Sequence, residues 1–180
     1  MPLPLVYYND PLLRKKSKPI EAITPEIKQL AEEMVETMIY HNGVGLAAPQ
    51  VGVLLRIFVI RDELMGENGG YKLGDPEVLI NPQLTIPSQE MEVMAEGCLS
   101  IPGIHVELAR PSQIKVRYQT LEGHIREETA SHFRARVIMH ENDHINGVLF
   151  IDRLPLNLRN KVAPLLQEIK KKYPQKSNEA

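Results

Sequence analysis

Apolar positions recur along the chain with two periods, and the change from one to the other predicts the order of elements. Ile27, Leu30, Ala31, Met34, Val35, Met38 and Ile39 follow one another at helical spacing, a broad stripe on a helix from about Pro25 to Asn42. Thr24 suits the N-cap, Pro25 the first helical position, where no N–H is needed, and Gly43 can close the helix in the left-handed conformation. Residues 43–52, GVGLAAPQVG, are small and apolar and read as a tight buried loop. VLLRIFVI, 53–60, reads as a strand, and 61–76 as a polar excursion, followed by short strands near 77–80, 83–86 and 91–98. Over 112–120, Ile114, Val116 and Tyr118 alternate with polar residues, and a turn at Glu122-Gly123 leads into an antiparallel partner, HIREETA. A second helix runs from about Ser131 to Ile145 and stops at Asn146-Gly147. Pro164 would remove a hydrogen bond from a helix begun at Asn157, so a turn at 156–162 and a helix from Pro164 to about Lys172 are expected. Strands come in runs and do not alternate with helices. The fold class expected is therefore α+β: short, mostly antiparallel strands packed around the 131–145 helix, with one helix N-terminal and one C-terminal to them.

Composition narrows the classes. The chain has 180 residues, 43% of them hydrophobic, which is the size of one domain able to bury its own core. A single Cys excludes an intrachain disulfide and fits a reducing compartment. No apolar run approaches the roughly 18 residues of a membrane span. The N-terminal MPLPLVYYNDPLLRKK lacks the apolar core and cleavage site of a secretory signal. A cytoplasmic protein without membrane or DNA partners is expected. The net charge of −2 is unevenly spread: from Arg153 onward seven Lys/Arg face two Glu, leaving the first 152 residues at −7. With the motifs described below, the chain is expected to divide into a single catalytic metallohydrolase domain, 1–154, and a basic C-terminal helix and tail, 155–180.

Residues 140–144 read His-Glu-Asn-Asp-His, an HExxH motif on the second helix. Two His four residues apart are separated by about 400° of rotation and project from one face, where both can bind one metal ion. Glu141 beside them can act as general base on a metal-bound water. Phe133, Val137, His140 and His144 form one stripe, so the His pair continues the apolar face, where burial without a partner is costly. Asp143 points elsewhere and suits a supporting hydrogen bond. A catalytic site needs a third ligand and an open position. Asp152 or Glu168 downstream would make an HExxH metalloendopeptidase, whereas a closed set of ligands would make a structural metal site. Upstream, Cys98 in EGCLSIPG (96–103) is a ligand, a nucleophile with His as base, or a small buried thiol. Gly97 and Pro102 beside it favour an irregular, exposed backbone over a core strand.

GVGLAAPQ at 43–50, EGCLSIPG at 96–103 and HENDH at 140–144, in this order and at similar separations, resemble the peptide deformylases, and the likeness extends to about Leu154. The resemblance implies a hydrolase of protein biosynthesis that removes formyl co-translationally from the N-terminal formylmethionine of new polypeptides. It implies Cys98, His140 and His144 as ligands of one divalent metal, Fe²⁺ in vivo with Zn²⁺, Ni²⁺ or Co²⁺ as substitutes, and Glu141 as general base and acid. Gln50 and the Leu99 N–H become oxyanion donors, and Gly45 a backbone contact for the peptide. Val44 and Gly97 lie on the segments along which the peptide would add as a strand. Met94, Phe133 and Val137 are candidates for the pocket that takes Met. Glu96 and Arg110, with Asp143, are expected to support the ligands. His105 stands where some deformylases carry a substrate-holding Arg. The basic helix, with Lys170, Lys171, Lys172 and Lys176, is a candidate contact for ribosomal RNA.

Overall fold

The computed structural model describes residues 1–87 and 89–175. Its helices are α1 (Pro25–Tyr40), α2 (His132–Ile145) and α3 (Leu156–Lys172). Its strands are β1 (Gly45–Ala47), β2 (Ile57–Ile60), β3 (Glu63–Met65), β4 (Tyr71–Leu73), β5 (Glu77–Thr85), β6 (Met91–Cys98), β7 (Ile101–Pro111), β8 (Gln113–Gln119) and β9 (Ile125–Ser131). One antiparallel sheet has the order β1-β2-β5-β8-β9, and β3–β4 and β6–β7 form two separate antiparallel pairs. The α+β arrangement around the HExxH helix is thus the observed one.

The short strand β2 explains the layering. Its four residues are all buried because its two faces serve two cores. Ile57 and Val59 pack with Ala31, Met34 and Met38 of α1. Phe58 and Ile60 pack with Ala135, Ile138 and Ile145 of α2. The third core joins Ile104 and Leu108 of β7 to Val162, Leu166 and Ile169 of α3. Helix α2 lies among all these layers, and ten of its fourteen residues are buried.

Several elements depart from the sequence pattern. The predicted loop 43–52 holds β1 and a 3₁₀ turn, Ala48–Val51. The strand expected over 53–60 begins only at Ile57, because Arg56 turns to the C-terminal end of α2, donating to the Ile145 carbonyl (3.2 Å) and to Asn146 Oδ1 (3.0 Å). The expected strands 77–80 and 83–86 are one strand, β5, with a bulge between Ile80 and Gln83. Within it Asn81 takes the left-handed conformation (φ 49°) and its amide bonds both backbone groups of Ile20. The excursion 61–76 contains the β3–β4 pair. Cys98 is the last residue of β6 and Pro102 lies in β7, so the irregular backbone expected there reduces to a register shift between Glu96 and Cys98.

The C-terminal helix is the largest correction. It starts at Leu156 and runs through Pro164. The hydrogen bond that Pro164 cannot make would go to the Asn160 carbonyl, and both residues are exposed, so the carbonyl is open to solvent instead of being buried unpaired. On the opposite face Val162, Leu166 and Ile169 bury into the third core, which outweighs the local penalty. Lys176 and the rest of the tail, 176–180, lie outside the described residues. Among the described residues no helix is long and apolar enough to cross a membrane.

Candidate active site

The end of β6 and the middle of α2 bring Cys98, His140 and His144 together. One ligand atom from each lies within 4.8 Å of the others. The Cys98 sulfur is 3.3 Å from His144 Nε2. His140 bonds Glu96 Oε1 through Nδ1 (2.9 Å), which turns its other nitrogen toward the same centre. Asp152 and Glu168 do not join this group. Asp152 accepts from the Leu149 N–H (2.9 Å) and pairs with Arg14, and no cluster of metal-ligating groups among the described residues includes either acid.

The donor set fits a divalent cation. The converging ligand atoms are one thiol sulfur and two imidazole nitrogens, a set that suits a divalent transition metal, and Glu141 Oε2 is buried beside them without a hydrogen-bond partner. Burial would lower the pKa of His140, yet hydrogen bonds with Cys98 and Glu96 and the charge of Glu141 raise it well above its ordinary value. Burial and the His140 charge push His144 the other way. One thiolate and two imidazoles form a three-ligand set of the kind that leaves a fourth, open position.

Behind the triad lies a buried ion network. Arg110 grips Glu96 with two bonds (2.6 and 2.9 Å) and also reaches Asp143 (2.9 Å). Arg136 donates to Glu96 (2.6 Å) and to the Leu108 carbonyl (2.8 Å). Arg153 takes both Asp143 oxygens, each at 2.7 Å. Burial alone would raise the Glu96 pKa, but the bonds from His140 and Arg110 bring it down to about 2. Glu96 thus stays a carboxylate that orients the His140 ring, the outer-partner role common beside metal-bound His. Glu96, Arg110 and Asp143 were expected near the site, whereas Arg136 and Arg153 were not. Arg136 carried a signal, being one helical turn before His140 on the same face.

On the substrate side Gln50 is 1% exposed. Its Oε1 accepts from the Ala47 N–H (2.9 Å), which fixes the flip of the amide and turns Nε2 toward Ser100 Oγ (3.2 Å) and the Cys98 sulfur (3.5 Å). Leu99 sits in the turn between β6 and β7, beside the same cavity. Glu141 is buried, and burial above all raises its pKa to about 7. Its carboxylate presses on Gly45: a Cβ there would lie 2.5 Å from Oε1 and 2.9 Å from Cδ. Gly45 was singled out only as a peptide contact, and its packing against Glu141 was not anticipated.

A cavity of about 670 Å³ opens over these groups. Val44, Gly45, Gly97, Phe133 and Val137 line it, as do His105, Tyr7 and Tyr173, but Met94 does not. Gly97 lets His105 close in, since a Cβ there would lie 2.7 Å from the imidazole.

Two buried imidazoles on an HExxH helix and a half-buried thiol at a strand end, with a carboxylate and an amide donor beside them in an open cavity, define a metallohydrolase of the amide-cleaving kind. The polypeptide deformylase family model matches residues 2–160, and the chain belongs to that family. It is 44% identical over 158 residues to a peptide deformylase of Bradyrhizobium sp. (strain ORS 278), covering 88% of this chain and 90% of the relative. Among solved structures, a plant peptide deformylase aligns with TM-score 0.85 and 37% identity over 96% of this chain and 91% of that one. A peptide deformylase from Acinetobacter baumannii with Met-Ala-Ser bound aligns with TM-score 0.79 and 34% identity, over 86% and 99% of the two chains.

Proposed function

We propose that this enzyme removes the formyl group from the N-terminal formylmethionine of newly made polypeptides through a single divalent cation held by Cys98, His140 and His144. The observation that carries the assignment is the placement of Glu141 and Gln50 beside one triad, each fixed by its own packing. A cation bound there supplies Lewis-acid polarisation of the formyl carbonyl and lowers the pKa of water. Glu141 accepts the proton of the attacking water and returns it to the departing amine nitrogen, a role suited to a buried carboxylate whose burial raises its affinity for a proton. Gln50 Nε2 and the Leu99 N–H donate to the formyl oxygen as it gains charge, and one such donor contributes about 2.7–4 kcal/mol in comparable sites.

The peptide adds as an extended strand along Val44, Gly45 and Gly97, so affinity comes from main-chain bonds and tolerates many sequences. Met enters between Phe133 and Val137. The Acinetobacter relative with Met-Ala-Ser bound supports a substrate of this kind. The thiolate ligand suits Fe²⁺, with Zn²⁺, Ni²⁺ or Co²⁺ in its place, and leaves an iron-loaded site open to oxidation. The enzyme works in the cytoplasm, and the lysine-rich end of α3 meets ribosomal RNA. Anaerobic purification with metal analysis and a formate-release assay on formyl-Met peptides tests the catalytic reading; loaded protein that releases no formate overturns it. Lys170, Lys171 and Lys172 changed together to Gln, with no loss of ribosome co-sedimentation, removes the ribosomal contact.

A further inference from the structure

Three elements line the cavity. Helix α2 contributes Phe133, Arg136, Val137, His140 and Glu141, strand β1 contributes Gly45, and strand β6 contributes Gly97 and Cys98. Strands β1 and β6 belong to different sheets, so no common ladder of backbone bonds fixes their separation. Both are referred to α2 instead. Gly45 rests on Glu141, and the end of β6 meets His140 and His144 through Glu96 and Cys98.

Arg136 reaches further back along the hairpin. Its Nη2 donates to the Glu92 carbonyl of β6 (2.7 Å) and its Nη1 to the Leu108 carbonyl of β7 (2.8 Å), beside the bond to Glu96 Oε2 (2.6 Å). The residue is 5% exposed, and a buried cation is costly unless its donors are used. Glu96 does not require it, because Arg110 grips that carboxylate with two bonds and His140 with a third. What Arg136 adds is a pair of main-chain bonds, one on each strand of the hairpin, made from the helix that carries the metal ligands.

We propose that Arg136 is a positioning residue for the substrate: its guanidinium fork clamps the β6–β7 hairpin to α2 and so sets the width of the slot that the peptide enters beside β1 and β6. Neighbouring strands lie about 4.8 Å apart, so a strand held between two others needs them roughly 10 Å apart. The metal ligands hold the end of β6, and Arg136 holds it four residues earlier. A formylated amino acid needs only the metal end, whereas a longer peptide depends on the slot keeping its width.

This inference rests on the deformylase reading, and the experiment separates the two. Metal-loaded wild type, Arg136→Met and Arg136→Lys are compared in formate release from formyl-Met-Ala-Ser and from formylmethionine amide, and in backbone hydrogen exchange over residues 91–97. One main-chain hydrogen bond corresponds to about 2- to 12-fold in affinity. Arg136→Met should raise KM for the tripeptide by that factor for each bond weakened, with a smaller change in kcat and in the short substrate, and should speed exchange in β6 more than in β1. Arg136→Lys keeps the charge beside Glu96 without the fork, and should recover less than half of the lost tripeptide preference. It carries the comparison by itself if Arg136→Met does not fold. An equal loss on both substrates, wild-type exchange in β6, exchange raised alike throughout the chain, or full recovery by Arg136→Lys overturns the proposal. Wild type that cleaves neither substrate removes the deformylase reading, while the exchange rates still decide whether Arg136 clamps the hairpin.

Discussion

Replacing Gly45 with Ala isolates the packing that holds the general base. The added methyl would lie 2.5 Å from Glu141 Oε1 and 2.9 Å from its Cδ and Cγ. Real Cβ contacts are essentially never under 3.0 Å, so the carboxylate must retreat by at least about 0.5 Å. It cannot simply move into water, because Glu141 is only 4% exposed. Strand β1 is also constrained, since Gly45 pairs with Ile60 of β2. The strain therefore falls on the Glu141 side chain. A misplacement of about 1 Å in a catalytic group costs roughly 100-fold in rate, so a fall in kcat of ten- to a hundredfold is a reasonable scale. Overpacking adds a stability loss of about 1–3 kcal/mol. The three atoms nearest the new methyl all belong to Glu141 and none to a metal ligand, so metal content should be unchanged. The measurements are kcat in formate release, metal per chain, and the urea midpoint. A fully loaded Gly45→Ala enzyme with more than half the wild-type kcat would refute the reasoning.

Other changes separate the roles of neighbouring groups. Glu141→Ala should keep its metal and lose about 10²–10⁴-fold in kcat, and equal loss of metal would assign Glu141 a structural part instead. Cys98→Ser should weaken metal binding by more than the roughly 10–100-fold typical of losing an outer partner, as read by competition with a chelator. Glu96 should give an acid-sensitive contribution to stability. Its pKa falls from 4.5 to about 2 on folding, so the contribution is complete above about pH 4.5 and is lost as pH drops toward 2. In metal-free protein, the gap in urea midpoint between wild type and Glu96→Gln should shrink between pH 6 and pH 3. A constant gap would place the stabilisation elsewhere.

The parts of the site legible in the sequence were those whose geometry is local. His140, Glu141 and His144 lie on one helix, where spacing alone decides which side chains share a face. Gln50 and Cys98 entered through short segments that resemble a known family. Arg136 and Arg153 were not singled out, because the carboxylates they pair with, Glu96 and Asp143, lie on other elements. The packing of Gly45 on Glu141 joins residues far apart in the chain, which no periodicity can reveal. Strand β7 was missed as a strand because Pro102 and Gly103 at its start mask an irregular burial pattern. In α3 the local rule against Pro164 was sound, but burial of one face decided the outcome.

The long-range assembly of the triad also bears on how the enzyme matures. Cys98 and His144 are 46 residues apart in sequence, and Glu96 is 44 from His140. An unfolded chain offers at most the two histidines on a helix that is not yet formed, a weak chelate. High-affinity capture of the cation must wait until β6 has docked on α2, so the ion selects finished molecules and then stabilises them against unfolding by RT ln(1 + [L]/Kd). Metal scarcity would therefore show itself twice, as lost turnover and as a larger unfolded fraction exposed to proteolysis.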